Sequence, residues 1–177
     1  MVSRKVCRGP SQGSLRDAVR STLALAACVS PHAVQPAELP VPCVAGVCGS
    51  NVPGFVTAGS AGATATGNTL TVTQGTNSAT LNWSTFNISA DGVVNFVQPS
   101  SSATALNRIH QNDPSRIFGA LNANGRVYLL NRNGVVFADG AKVNVGGLLA
   151  TSLDITPQAL ENGLAGAAPA GAAAFQL

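Results

Sequence analysis

The sequence predicts an all-β chain whose short strands coil sheet upon sheet, and three observations carry that expectation. The runs 84–109 and 125–155 are rich in Val, Ile, Leu and Phe and sparsely charged. Both are broken by Asp-Gly (91–92, 139–140) and Asn-Gly (124–125, 133–134) dipeptides. Glycine and Asn/Asp accept positive φ, so these pairs are expected to form sharp corners rather than loose loops. The stretches between corners are only about three to six residues long, which suits one side of a solenoid coil better than a sandwich strand.

Taken in order, the expected strands are 69–73, 79–83, 86–88, 93–97, 126–130, 134–138, 142–145 and 148–153. In the first, Leu70 and Val72 alternate with threonines, which puts the two apolar side chains on one face. By the same alternation Val127, Leu129, Val135 and Phe137 point inward. Segment 102–110 fits two patterns: Ala105 and Ile109 are four apart, as on a helix, while Ala103 and Ala105 alternate, as on a strand. Asn122, Asn124, Asn131, Asn133 and Asn144 fall at or near corners, where side-chain amides can satisfy backbone groups of a stacked turn. A parallel β-helix accounts for all of this. An antiparallel sandwich is the rival, because Asn-Gly is also a hairpin signal.

Several separated motifs resemble the N-terminal secretion domain of filamentous haemagglutinin-type exoproteins, the substrates of two-partner secretion. They are Asn82-Trp83, Phe86-Asn87-Ile88, Val94-Asn95-Phe96, Gln98-Pro99-Ser100, Ala105-Leu106-Asn107-Arg108-Ile109, Asn131-Arg132-Asn133-Gly134-Val135 and Val143-Asn144-Val145-Gly146-Gly147-Leu148. They run in the family order over about residues 50 to 156. One position departs: the family usually reads Asn-Pro-Asn-Gly, and Arg132 stands in place of the proline. Proline would fix φ at that corner, whereas Arg132 can adopt the angle without enforcing it. The resemblance implies a right-handed parallel β-helix and favours strand or turn at 102–110.

The formal net charge of +3 belongs to one end of the chain. Residues 1–37 carry Arg4, Lys5, Arg8, Arg16 and Arg20 against Asp17, a net +4. The remainder carries Arg108, Arg116, Arg126, Arg132 and Lys142 against Glu38, Asp91, Asp113, Asp139, Asp154 and Glu161, a net −1. A body without a positive field is not expected to bind nucleic acid.

The basic start followed by the apolar run 22–29 and Pro31 reads as an export leader, since a run this short falls well below the roughly 20 residues of a membrane span. The expected organisation is therefore a leader (1–37), a Pro-rich junction (38–54), a strand-rich secretion domain (55–155) and an Ala/Gly-rich tail (156–177). No large apolar cap is apparent in the tail, so the solenoid is expected to be incomplete at its C-terminal end, as the start of a longer protein or a truncated reading frame.

Beyond the leader, Cys43 and Cys48 are expected to pair as a local disulfide in an oxidising compartment. Their spacing is not the Cys-x-x-Cys of a redox pair, and a zinc site would need two further ligands. Within the leader, Leu25-Ala26-Ala27-Cys28 resembles a lipobox and keeps open a surface lipoprotein of the same fold.

No metal or cofactor is expected, and no catalytic residue is assigned. Asp91 and Asp139 sit in Asp-Gly turns, Asp113 precedes Pro114, and Asp154 closes a strand, so each has a structural reading. Glycoside cleavage would need two such groups across a cleft, which leaves an exported carbohydrate-active β-helix enzyme as the rival class. There is no Gly-x-Ser-x-Gly motif, and Gly146-Gly147 lacks the Lys and Ser/Thr of a phosphate loop. Trp83 is expected in the core rather than stacked on a sugar.

The resemblance implies a secretion and adhesion module, with an outer-membrane transporter bearing periplasmic recognition domains as its partner. A surface ligand on a host or neighbouring cell would follow, and the location would be secreted or cell-surface in a Gram-negative bacterium. The residues expected to matter are Asn131, Asn133 and Gly134 at the corner, with Asn82, Asn87 and Asn107.

Overall fold

In the computed structural model, residues 37–155 and 175–176 are described, and among them every regular element is a strand. The leader, Cys28 with its lipidation reading, and most of the Ala/Gly-rich tail lie outside the described residues.

The chain forms a parallel β-solenoid of about 4 turns, each coil contributing in sequence to faces B, A and C. The first coil holds β4 (Thr69–Gln74) and β5 (Ser78–Thr85), then the bridge residue Ile88. The second holds β6 (Val93–Val97), β7 (Thr104–Ile109) and β8 (Ser115–Ile117). The third holds β9 (Ala120–Ala123), β10 (Arg126–Asn131) and β11 (Val135–Phe137), and the fourth β12 (Lys142–Asn144) and β13 (Gly147–Thr151). Segment 102–110 is thus strand, and 86–88 contributes only the parallel Ile88–Ile117 bridge.

Parallel register stacks like positions into interior columns. Leu70, Val94 and Leu121 form one column, and Ala79, Ala105, Val127 and Leu148 form another. Trp83 is fully buried between Phe55 and Phe86, with edge-on ring centroids 4.9 and 5.2 Å away, so it packs the core and offers no face to a sugar. Burying side chains of this size stabilises by roughly 1.5–3 kcal/mol apiece. Of the residues expected inside, Val135 is half-buried and Phe137 is 37% exposed. Both lie on β11, which pairs with β8 on one side and with no described strand on the other.

The N-terminal end of the stack is covered by antiparallel strands. β3 (Ala61–Thr66) runs against β4, while β1 (Val41–Pro42) and β2 (Val56–Ala58) run against β5. The segment read as a junction therefore packs on the first coil. Cys43 is buried and its N–H donates to Asn82 O (3.0 Å), and a disulfide joins it to Cys48.

A smaller cluster lies outside face A. There Leu106, Tyr128 and Leu130 are covered in part by Ile155 of β14 (Asp154–Ile155). Arg108 Nη1 pairs with Asp154 Oδ1 at 2.6 Å and Nη2 donates to Ile155 O at 2.9 Å, which pins β14 there. β15 (Phe175–Gln176) pairs antiparallel with β14.

Candidate recognition corner

The turn between β10 and β11 is built by its own side chains. Asn131 is fully buried; its Oδ1 accepts the Asn133 N–H (2.9 Å) and its carbonyl accepts the Gly134 N–H (2.8 Å). Its Nδ2 reaches back one coil to Ser115 Oγ (2.9 Å) and Asp113 O (3.1 Å). Gly134 takes φ +95°, a left-handed angle that a Cβ disfavours, and its carbonyl accepts the Ser115 N–H (3.0 Å). Asn133 is exposed and donates to Gln111 O at 2.9 Å. One corner is therefore stitched to the corner beneath it, through groups that would otherwise be buried without partners. Arg132 stands exposed at the tip.

The other three asparagines do not converge on this turn. Asn107 is fully buried inside the solenoid, between Leu81 and Leu129 in its column. It accepts Trp83 Nε1–H (2.8 Å) and donates to Ala105 O (3.1 Å) and Tyr128 O (3.2 Å), which satisfies both ends of its amide. Asn82 lies on the outer side of face A and is buried beneath the N-terminal segment, donating to Thr57 Oγ1 (3.1 Å) and Gly54 O (3.3 Å). Asn87 bridges corners, donating to Glu38 Oε1 (2.8 Å) and accepting from the Arg116 N–H (2.9 Å).

His110 links two of these places. The Asn82 amide is oriented by carbonyl acceptors, so its Oδ1 faces His110 Nε2 at 3.2 Å and takes the ring N–H. Partial burial, and then the nearby Arg108 and Arg132 charges, hold the His110 pKa below its ordinary 6.5. A shallow groove of about 350 Å³ opens beside it, lined by Arg108, Arg132, Asn133 and Asp154 among others. Of the four carboxylates considered for catalysis, Asp154 alone lines it, and that group is already bound by Arg108. Asp91 accepts from Asn68 Nδ2 and Ser89 Oγ, both at 2.8 Å, as a turn residue does.

A polar ladder at the opposite corner carried no sequence signal beyond Gln98-Pro99-Ser100. Gln74 and Gln98 are buried, and Gln98 Nε2 donates to Gln74 Oε1 (3.0 Å) while its Oε1 accepts the Gly125 N–H (3.0 Å). Gly125 does not have positive φ, contrary to the expectation from its Asn-Gly pair. Glycine is required there by crowding, since a Cβ would lie 2.6 Å from Ala103 O. Gly92 likewise lacks positive φ, whereas Gly134 and Gly140 have it. Two buried glutamines in a chain gave no hint of pairing, because each finds its partner a full coil away.

The family model described as "TPS secretion domain" matches residues 54–168. A heme/hemopexin-binding protein of Haemophilus influenzae is 44% identical over 90 residues, covering 51% of this chain and 10% of that protein. Another, from H. influenzae strain ATCC 51907 / DSM 11121 / KW20 / Rd, is 41% identical over 100 residues, covering 56% and 11%. The chain thus spans about a tenth of the length of the curated relatives it matches. The crystal structure of the HMW1 secretion domain from H. influenzae superposes with a TM-score of 0.57 at 32% identity, covering 60% of this chain and 28% of that one.

Proposed function

We propose, from the premise that this chain belongs to the TPS secretion domain family, that its partner's periplasmic recognition domains bind it while it is still extended, before the coils close. The chain is an N-terminal secretion module of a two-partner secretion exoprotein, a family of secretion domains and not of enzymes. Membership implies export through the periplasm of a Gram-negative bacterium and an outer-membrane transporter as partner.

The observation that carries the reading is burial. In the folded coil Asn107 and Asn131 are 0% exposed with every amide group bonded, so neither side chain is open to a partner. Transporter contact with them belongs to the unfolded chain, and their folded role is to close the core and the corner. Assembly from long-range parallel pairs is slow, which leaves time for capture. Folding outside the cell then opposes back-sliding and helps draw the chain across. Two relatives carry names for heme and hemopexin binding, but the shared tenth supports export and does not carry their ligand to this chain. The module itself does no catalysis in this reading, and any adhesive contact is made once the protein is secreted or displayed on the surface.

The test is secretion from cells that co-express the cognate transporter, with the stability of each purified variant measured alongside. Asn131→Ala and Gly134→Val are expected to reduce secretion severalfold, and Asp139→Asn to leave it unchanged. Wild-type secretion of the first two, together with a glycan-cleaving activity abolished by Asp154→Asn, would replace this reading with the enzyme one.

A further inference from the structure

Beside the Asn131 corner, the groove of about 350 Å³ gathers charges that lie far apart in the chain. Its lining includes two buried aliphatic side chains, Ile109 of β7 and Leu130 of β10. Arg108 is held in place, with Nη1 on Asp154 Oδ1 at 2.6 Å and Nη2 on Ile155 O at 2.9 Å. Arg132 is exposed, and its backbone is fixed by the bonds that Asn131 makes to the N–H groups of Asn133 and Gly134. Among the described residues Arg132 has no acidic partner, and the carboxylate in the lining, Asp154, is already paired with Arg108. Two guanidinium groups against one carboxylate leave the lining with a net charge of +1. His110 registers that field: burial, and then the charges of Arg108 and Arg132, hold its pKa below 6.5. The amides of Asn112 and Asn133 border the same space.

We propose that this groove binds a carboxylate-bearing sugar, with the carboxylate on Arg132 and the ring hydroxyls on the neighbouring amides. A guanidinium fork matches a carboxylate in two parallel hydrogen bonds, and Arg132 has that fork unclaimed by any described acid. Amides both donate and accept, as sugar hydroxyls do, and Asn133 uses one N–H on Gln111 O while its other groups remain for a ligand. Ile109 and Leu130 offer aliphatic surface to the C–H face of a ring. The volume lies at the low end for ligand sites and suits one or two sugar rings. A peptide fits less well. Strand addition needs a free edge, and β7 and β10 are paired on both sides. The groove exists only in the folded chain, so binding there is independent of capture by the transporter in the extended state. Arg132 also stands where the family usually has proline, which makes the charge a property of this chain.

The experiment is an NMR titration of the exported chain with methyl β-glucuronide and, separately, with methyl β-glucoside, which differ only in the carboxylate. The glucuronide is expected to bind with a dissociation constant on the order of 1 mM, as a shallow, water-open groove allows, and the glucoside at least about fivefold more weakly. The bound carboxylate should raise the His110 pKa, because it offsets the Arg108 and Arg132 charges that act on the ring beside the paired Asp154. Arg132→Gln should weaken glucuronide binding at least about fivefold and abolish that rise, and Arg132→Pro, which keeps a turn residue, should do the same if the glutamine variant fails to fold by circular dichroism. Arg116→Gln removes an equal charge outside the groove and should bind like wild type. Acetate and an N-acetylglutamate amide complete the series. Equal binding of glucuronide and glucoside, or glucuronide binding that survives the loss of Arg132, would overturn the proposal. Acetate or the glutamate amide binding as tightly as the glucuronide would overturn it too, by showing a site for any carboxylate, that of an acidic peptide included.

Discussion

At the residue scale the most consequential side chain is the one that least resembles a core residue. Asn107 sits where its column neighbours are leucines, yet it is bonded to Trp83, Ala105 and Tyr128. Asn107→Ala leaves the Trp83 indole N–H buried without a partner and removes two further bonds to strand carbonyls, and should cost about 3 kcal/mol in chemical denaturation. Asn133→Ala removes one exposed bond and should cost below about 1 kcal/mol. His110 sets a pH dependence of definite sign. Its folded pKa is depressed, so the unfolded chain binds the proton more readily, and its contribution to stability is present above 6.5 and lost as pH falls below that value. Denaturation midpoints measured from pH 7.5 down to pH 5, above most carboxylate titration, should fall, and His110→Gln should flatten that slope.

At the element scale the N-terminal segment and the first coil act as one unit. Val41 and Pro42 pair with Thr85 and Trp83, and Cys43 is buried against the same strand. The Cys43–Cys48 bridge closes a loop with a sequence separation of 5, so the chain-entropy account gives it about 2 kcal/mol. Reduction, or replacing both cysteines with serine, is expected to leave the strand signal in circular dichroism unchanged and lower the denaturation midpoint. A second consequence falls at the edge of β5, which should gain amide hydrogen exchange where β1 covers it. Full alkylation of both thiols in non-reduced exported protein would remove the basis of this expectation.

At the scale of the whole molecule, protection should follow position along the stack. Among the described residues the second and third coils have a coil on either side, whereas the fourth has one neighbour and exposed apolar side chains. Native-state hydrogen exchange should be slowest in β7 and β10 and faster in β12 and β13, because local opening costs least where fewest groups are buried. Uniform protection across the coils would show that the stack unfolds as a single cooperative body instead.

The strands themselves were legible in the sequence because alternation is a local property. Leu70 and Val72 against the threonines, and the 93–97 strand, follow from residues two apart. The corner at Asn133-Gly134 was legible for the same reason, since its angle is set within four residues. What the sequence left open depends on partners a full coil away. The steps from Thr69 to Val93, Ala120 and Lys142 are 24, 27 and 22 residues, so no fixed period betrays the stacking. Stacking alone put Asn107 into the core, made Gly125 obligatory by crowding rather than by φ, and joined Gln74 to Gln98. It also left Phe137 exposed: its inward direction was written in the alternation, but the coil that would cover it is a property of the assembled solenoid. Direction within a strand is fixed by neighbours along the chain, whereas burial and hydrogen-bond satisfaction are fixed by neighbours through space.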